Sequence, residues 1–509
     1  MRPTDFTRST SAQMGAAAPI EISLDIQGIE PKDSGQLISI LSPSKGAGTG
    51  RITQRTDLSA SGRSRTRYLG GDLGQNDVES IARDAFRFVY LPALRDAEAD
   101  LRPGLGNRLA SLISAFAPAD HADREELVRI IREANDALAN VSAVKQSAAA
   151  VQSRMSDITG LGPYEQSSHL AFSEAKYERI IGNLQAMLGV GEPQQLADNG
   201  LGYNNLLYIA VILAAIESDD TVPLTVVLIE EPEAHLHPQL QSRLLEYLKK
   251  LTSKKTQVIV TTHSPQFASA AELHRLTVLA KCEEGQGAQA RHLSELPLDK
   301  KEFAHLGRFL DVTKSALLFA EAVILVEGIA EQLVIPELAK RLDVSLSEQG
   351  IQVVSVDGLA FTPFVKLFGP KGLRGKCAIV SDSDPRTDKQ GNLIPVSAVA
   401  EGLKTFESVQ HKVQLAAKTF EWDLAFANFE SKELILEALK EVRPQVGKEV
   451  ENTTFSSATA FADEVLARIE DYKGRFAQEL AALLHSRPQM TFAVPSYLEA
   501  TLTWITDGS

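Results

Sequence analysis

Apolar and polar residues alternate along Ile20–Ile26 (IEISLDI), a two-residue period that predicts a strand. A second strand is expected at Gln36–Leu41. The remainder of residues 1–80 is rich in Ser, Gly, Thr and Arg. With Lys45–Gly50 (KGAGTG) and the basic run Arg63–Arg67, it reads as an irregular, partly mobile surface segment. From Asp77 the pattern turns helical, and Phe88–Leu91 (FVYL) reads as a short buried strand ahead of Pro92. Between about 97 and 186, apolar residues recur at three- and four-residue steps among many Ala, Glu and Arg. That spacing predicts several helices, arranged as an inserted hairpin or small bundle. The alanine-rich run Ser147–Val151 belongs to their packing.

After residue 186 the texture changes to strand, loop and helix in turn. Thr225–Ile229 (TVVLI), Gln257–Thr261 (QVIVT) and Leu276–Leu279 are short apolar runs between helical segments. A second alternation begins with Ala322–Val326 (AVILV) and continues through Ile351–Val356 (IQVVSV) and Cys377–Val380 (CAIV). Continuous apolar strands separated by helices imply parallel sheets covered by helices, an α/β class. The tail from about 400 to 509 reads as mostly helical. The expected divisions are 1–96, the helical insertion 97–186, 187–318, and 319–509.

Composition narrows the function classes. At about 150 residues per domain, 509 residues suggest about three domains. No apolar stretch approaches the ~18 residues of a spanning helix. The polar N-terminus lacks the apolar core of a secretory signal. The two cysteines, Cys282 and Cys377, are too far apart in sequence for a zinc cage or disulfide framework, so the cytoplasm is the expected compartment. A net charge of −14 counts against nucleic-acid binding by the whole surface. DNA would need a restricted basic surface, for which Lys366, Lys371, Arg374 and Lys376 are candidates.

Two motif sets carry chemistry. In Leu224–Gln239 (LTVVLIEEPEAHLHPQ) an apolar strand delivers Glu230 and Glu231 at its carboxyl edge. P-loop NTPases present a magnesium-water ligand and a water-polarising base in this way, which would be Glu230 and Glu231 respectively. About 30 residues on, QVIVTTHSP places His263 after another strand, where ABC-type ATPases contact the γ-phosphate. Upstream, Asn199-Gly200-Leu201-Gly202 opens an apolar helix, and backbone N–H groups at such a start bind anions, as the ABC signature turn does. His235 and His237 lie near a helix start with no third ligand nearby and read as structural or nucleotide-proximal. The phosphate loop G-x-x-x-x-G-K-[ST] is absent from the chain; a truncated gene start, a fragment or true loss of the loop is expected. Binding of ATP with Mg²⁺ is therefore an open expectation.

The second set begins at AVILVEGIAE. A buried strand ends at Glu327, and Glu331 follows one helical turn later on the same face. In CAIVSDSDPR a further strand ends at Asp382 and Asp384. Four carboxylates from neighbouring strand ends make an oxygen-only site suited to two Mg²⁺ or Mn²⁺ ions, which can clamp a phosphodiester during hydrolysis. Glu followed about 55 residues later by Asp-x-Asp resembles the Toprim domain.

An ABC-type ATPase joined to a C-terminal Toprim domain resembles the overcoming-lysogenization-defect (OLD) family of ATP-dependent DNA endonucleases, over roughly residues 85–485. Leu91–Asp96 (LPALRD), Val356-Asp357-Gly358, Lys418–Leu424 (KTFEWDL) and Lys473–Leu480 (KGRFAQEL) carry further likeness. The resemblance implies metal ligands at Glu327, Glu331, Asp382 and Asp384. Glu421 is implied as a further acidic contributor, Asp357 as a weaker one, and Lys473 as the cation near the scissile phosphate. It also implies dimerisation through the helical insertion, a homodimer or higher oligomer acting on DNA, and a role in phage defence with a possible partner protein. Two rival functions follow from the same residues: a nuclease without nucleotide control, or a non-catalytic DNA-binding ATPase-like scaffold.

Overall fold

In a computed structural model, the described residues are 19–58, 63–72, 74, 76–93, 95–104, 106–159, 166–189, 191–218, 222–253, 255–281, 288–358, 360–387 and 393–507. Cys282 lies outside them. The chain forms two compact units, Met1–Thr262 and His263–Ser509. Among the described residues no helix is long and apolar enough to cross a membrane.

The first unit opens with a four-stranded antiparallel sheet, ordered Ile20–Gln27, Thr49–Leu58, Ser64–Gly70 and Asn76–Asp77. The expectation of an irregular segment was too pessimistic, because its charges are cross-strand partners. Asp25 pairs with Arg51 and Lys45, Arg55 with Glu21 and Asp57, and Arg67 with Asp57. Part of the basic run is thus one rung of a ladder. Gln36–Leu41 forms turns and the 3₁₀ segment Ile38–Ile40 instead of a strand. Leu37 and Ile40 bury against Val78, Ala82 and Ala85, so tertiary packing overrides the local alternation.

A three-stranded parallel sheet follows, with Leu224–Glu230 between Phe86–Leu91 and Thr256–Thr261. Leu91, Val227 and Ile229 are buried, whereas Phe88, Tyr90 and Ile259 on the other face are exposed. The helices predicted between 97 and 186 are present, the longest being Ala122–Ala139 and Ser142–Thr159. Neither of these two contains a buried residue.

In the second unit the helix Pro265–Ala270 is followed by an antiparallel hairpin, Thr277–Lys281 with Ala288–His292. This corrects the expectation that the Leu276–Leu279 run joins a parallel sheet; Leu279 is exposed, so the strand has no second covering layer. The main sheet is parallel, ordered Ile351–Ser355, Ala322–Val326, Lys376–Ser381, His411–Leu415. Its last strand lies in the tail read as helical. HKVQL hides it by carrying Lys412 and Gln414 at the sheet edge.

Ala322–Val326 is buried at every position. Ile324, Val326, Ala378 and Val380 join one apolar cluster, and Val323, Leu325, Cys377 and Ile379 join the other. Two covered faces explain why these strands read as unbroken apolar runs. Burial pushes the Cys377 thiol up, consistent with an inert packing role.

Candidate active site

The parallel sheet delivers its carboxylates at one edge. Adjacent strands place Glu327 beside Ser381 and Asp382. The Glu327 Oε1 atom accepts from the Asp382 N–H at 2.8 Å and the Ser381 hydroxyl at 2.5 Å. The helix Ile329–Arg341 starts immediately afterwards, and the Gly328 N–H donates to Glu331 Oε2 at 3.2 Å. This local cap turns the Glu331 side chain back towards the strand end.

Asp382 is fixed from a third element. Its Oδ1 accepts from the Phe420 N–H at 2.8 Å, in the first turn of the helix Phe420–Ala427. The next residue, Glu421, is buried and pairs with Lys473 Nζ at 2.9 Å. Lys473 opens the helix Lys473–Ser486. Segments separated by almost 150 residues of sequence therefore meet at one place.

The electrostatics are those of crowded acids. Burial, then the charges of Glu421 and Glu327, push the Glu331 carboxyl up to about 7. Burial, then Glu327, Glu421 and Glu331, push Asp382 up to about 9, against the pull of Lys473. Burial disfavours the Lys473 charge, but Glu421, Asp382 and Glu331 outweigh it and raise its pKa. Buried acids in excess over their cation suit a divalent ion. Among the described residues, however, no three His, Cys, Asp or Glu side chains are already closed into a ligand cage.

A pH dependence follows. Asp382 and Glu331 hold protons in the folded state that the unfolded chain releases. Without metal, the second unit is expected to lose stability as pH rises from the ordinary carboxylate range through about 9. Mn²⁺ should raise the melting temperature more at about pH 8 than at about pH 6, because ligands bind it deprotonated. Thermal melts with and without Mn²⁺ check both signs; equal metal stabilisation at the two pH values would contradict them.

The other expected ligands sit differently. Asp384 is exposed, has a φ of 45° and donates its N–H to Lys418 O at 3.3 Å. Asp357 pairs with Lys314 Nζ at 2.7 Å and accepts from the Ser355 hydroxyl at 2.8 Å. The Lys314 ammonium lowers its pKa, so Asp357 is already neutralised by a protein cation. Sequence reasoning missed Ser381 and the Phe420 N–H as supports. It also missed Tyr497, whose buried hydroxyl has no hydrogen-bond partner. Burial, then Asp423, Asp382, Glu331 and Glu421, raise its pKa. Only Ser381, inside VSDSD, carried a readable signal. Of the candidate basic patch, Lys366 pairs with Glu302, and Lys376 donates to the carbonyls of Trp504 and Asp507. Lys371 and Arg374 remain exposed.

In the first unit, Glu230 stands in register with Thr261 and its Oε2 accepts from the Ala93 N–H at 3.3 Å. Glu231 adopts a φ of 41° and donates its N–H to Thr261 O at 2.9 Å. Gly200 precedes the helix Leu201–Glu217 as its N-cap, and Asn199 Nδ2 donates to Gln195 O at 2.8 Å. At Gly202 a Cβ would lie 2.5 Å from His235 O, so only glycine permits this approach. The polar turn and the loop after Glu231 are thereby brought together, lining a shared depression with His235 and His237. His263 begins the second unit, two residues beyond the strand Thr256–Thr261.

Comparison with known proteins joins the two halves. An AAA ATPase domain is matched over residues 102–268, and an overcoming-lysogenization-defect-protein-like TOPRIM domain over 318–384. The two parts of an OLD-family ATPase–Toprim fusion are thus both matched within this one chain. The OLD nuclease of Thermus scotoductus is 30% identical over 166 residues, 32% of this chain and 31% of the relative. Endonuclease GajA of Bacillus cereus is 21% identical over 412 residues, 67% of this chain and 58% of that one. The chain thus spans less than two thirds of the length of either. The solved C-terminal region of the Xanthomonas campestris pv. campestris OLD protein is 30% identical, covering 38% of this chain and 95% of that one, with a TM-score of 0.29.

Proposed function

We propose that this chain is a divalent-metal-dependent endodeoxyribonuclease that nicks DNA at its Toprim site. The supporting observation is the convergence of Glu327, Glu331, Asp382 and Glu421 on one sheet edge with Lys473 beside them. Glu327, Glu331, Asp382 and Asp384 would hold two Mg²⁺ or Mn²⁺ ions. Bound there, the ions supply Lewis acidity and an activated water for phosphodiester hydrolysis. The chain's own groups orient and compensate. The Phe420 N–H fixes the Asp382 carboxyl, and the Ser381 hydroxyl and Asp382 N–H fix Glu327. The Lys473 ammonium stabilises charge on the nonbridging phosphate oxygens. Incubation of supercoiled plasmid with the purified chain tests the reading. Nicking in Mg²⁺ or Mn²⁺ that EDTA abolishes is expected; intact plasmid with either ion opposes it.

The ATPase half would control access to this site, with Glu230, Glu231, His263 and the turn Asn199–Gly202 as its nucleotide contacts. A nuclease without nucleotide control is the second reading of the same carboxylate site. Binding of a fluorescent ATP analogue separates the two.

The same proposal includes a homodimer formed through the helices Ala122–Ala139 and Ser142–Thr159. They bury no residue of their own, yet expose Ile130, Leu138, Val151 and Ile158. Light scattering after size exclusion should give the mass of a dimer, and Ile130→Glu should shift it towards monomer. A wild-type monomer would remove this assignment.

A further inference from the structure

We propose that the outer side of the helix Phe420–Ala427 is a stacking ledge for an unpaired nucleobase of the DNA strand bound at the carboxylates. The inference rests on the nuclease reading above, which supplies the strand. On this helix the Trp422 and Phe426 rings lie nearly parallel, with centroids 4.9 Å apart and planes at 14°. Trp422 is half-buried against the core, whereas Phe426 is 43% exposed. A single exposed phenylalanine is ordinary on a soluble surface. This one belongs to a built arrangement.

The indole Nε1–H of Trp422 donates to Asp463 Oδ1 at 2.8 Å. Lys418 Nζ donates to the same oxygen at 2.8 Å and stands 5.9 Å from the centre of the Trp422 ring. A carboxylate from the helix Ala458–Ile469 thus pins both the ring and the cation. The ring pair is preorganised, so little side-chain entropy is lost when a flat partner adds to it.

Continuity with the acidic site identifies the occupant. The same helix starts with the N–H that holds Asp382 and places Glu421 against Lys473. From Glu421 to Phe426 is roughly 7.5 Å along the helix axis, at about 1.5 Å per residue. Phe426 stands about 140° around the axis from Glu421, so a strand whose phosphate lies at the carboxylates reaches the ledge by passing around the helix. Aromatic faces flanked by cations are how proteins bind single-stranded nucleic acid without reading its sequence. The ledge therefore takes a base displaced from pairing beside the cut, and favours single-stranded, frayed or nicked DNA over intact duplex.

Trp422 is one of two tryptophans in the chain. In the full chain carrying Trp504→Phe, its emission reports the ledge alone. Titration with oligodeoxythymidylate in Ca²⁺ should quench this emission saturably. Phe426→Ala and Phe426→Leu should each weaken the oligonucleotide roughly tenfold, the loss expected for one stacked base. Phe426→Tyr, which keeps the ring, should bind within about twofold of the parent. Absence of binding, binding without a change in Trp422 emission, or equal affinities for all four proteins would overturn the ledge. Plasmid nicking by the parent separates the two claims. Nicking with no Phe426-dependent quenching removes the ledge alone, whereas Phe426-dependent quenching without nicking keeps the ledge and removes the nuclease reading.

Discussion

Asp382→Asn is expected to lose Mg²⁺- or Mn²⁺-dependent plasmid nicking by roughly a thousandfold, the scale of several kcal/mol of lost transition-state charge stabilisation. Its stability should move the other way. Asparagine keeps an oxygen for the Phe420 N–H, now at 2.8 Å from Asp382 Oδ1, and removes the cost of protonating, on folding, a carboxyl crowded by Glu327, Glu421 and Glu331. The metal-free melting temperature at about pH 8 should equal or exceed that of the parent, since the raised pKa marks an unfavourable ionisation. Lost cleavage with undiminished stability separates a functional carboxylate from a structural one. Unchanged nicking would remove Asp382 from the site.

Lys473→Met should combine both losses. Cleavage should fall by roughly a hundred- to a thousandfold, as when one preorganised donor to developing charge is removed. Glu421, 5% exposed at its side chain, would be left without the ammonium 2.9 Å away. The expected destabilisation is about 1–3 kcal/mol. It falls below the figure for a fully buried pair because 36% of the Lys473 side chain is exposed and screened by solvent. Adding Glu421→Gln should recover the stability but not the cleavage. Chemical denaturation and single-turnover nicking on the four proteins of this cycle measure the two effects separately. Recovery of cleavage in the double variant would make Lys473 a partner of Glu421 only.

The strands of the second unit were legible where both faces are covered. Ala322–Val326 and Cys377–Val380 are unbroken apolar runs because two clusters of side chains enclose them. Glu327 and Asp382 were legible for the same reason: a carboxylate directly after such a run must stand at the sheet edge. His411–Leu415 escaped notice because Lys412 and Gln414 interrupt its apolar pattern at the edge position. The first sheet escaped because its strands are joined by charges, with Asp25 meeting Arg51 and Arg55 meeting Glu21; a local pattern cannot reveal a partner some 30 residues away. Asp357 looked like another strand-end acid, and only the fold brings Lys314 to it. Lys473 and Glu421 were reached through family likeness. Periodicity alone gives no reason for a lysine at a helix start to face an acid on another helix.

The most direct measurement is the number of Mn²⁺ ions bound per chain, by calorimetric titration of the nucleotide-free protein with Asp382→Asn and Glu327→Gln as controls. Two ions in the parent, displaced by Mg²⁺, and a loss of binding in both variants are the predicted result. No binding to the parent, or binding unchanged by both substitutions, would contradict the account.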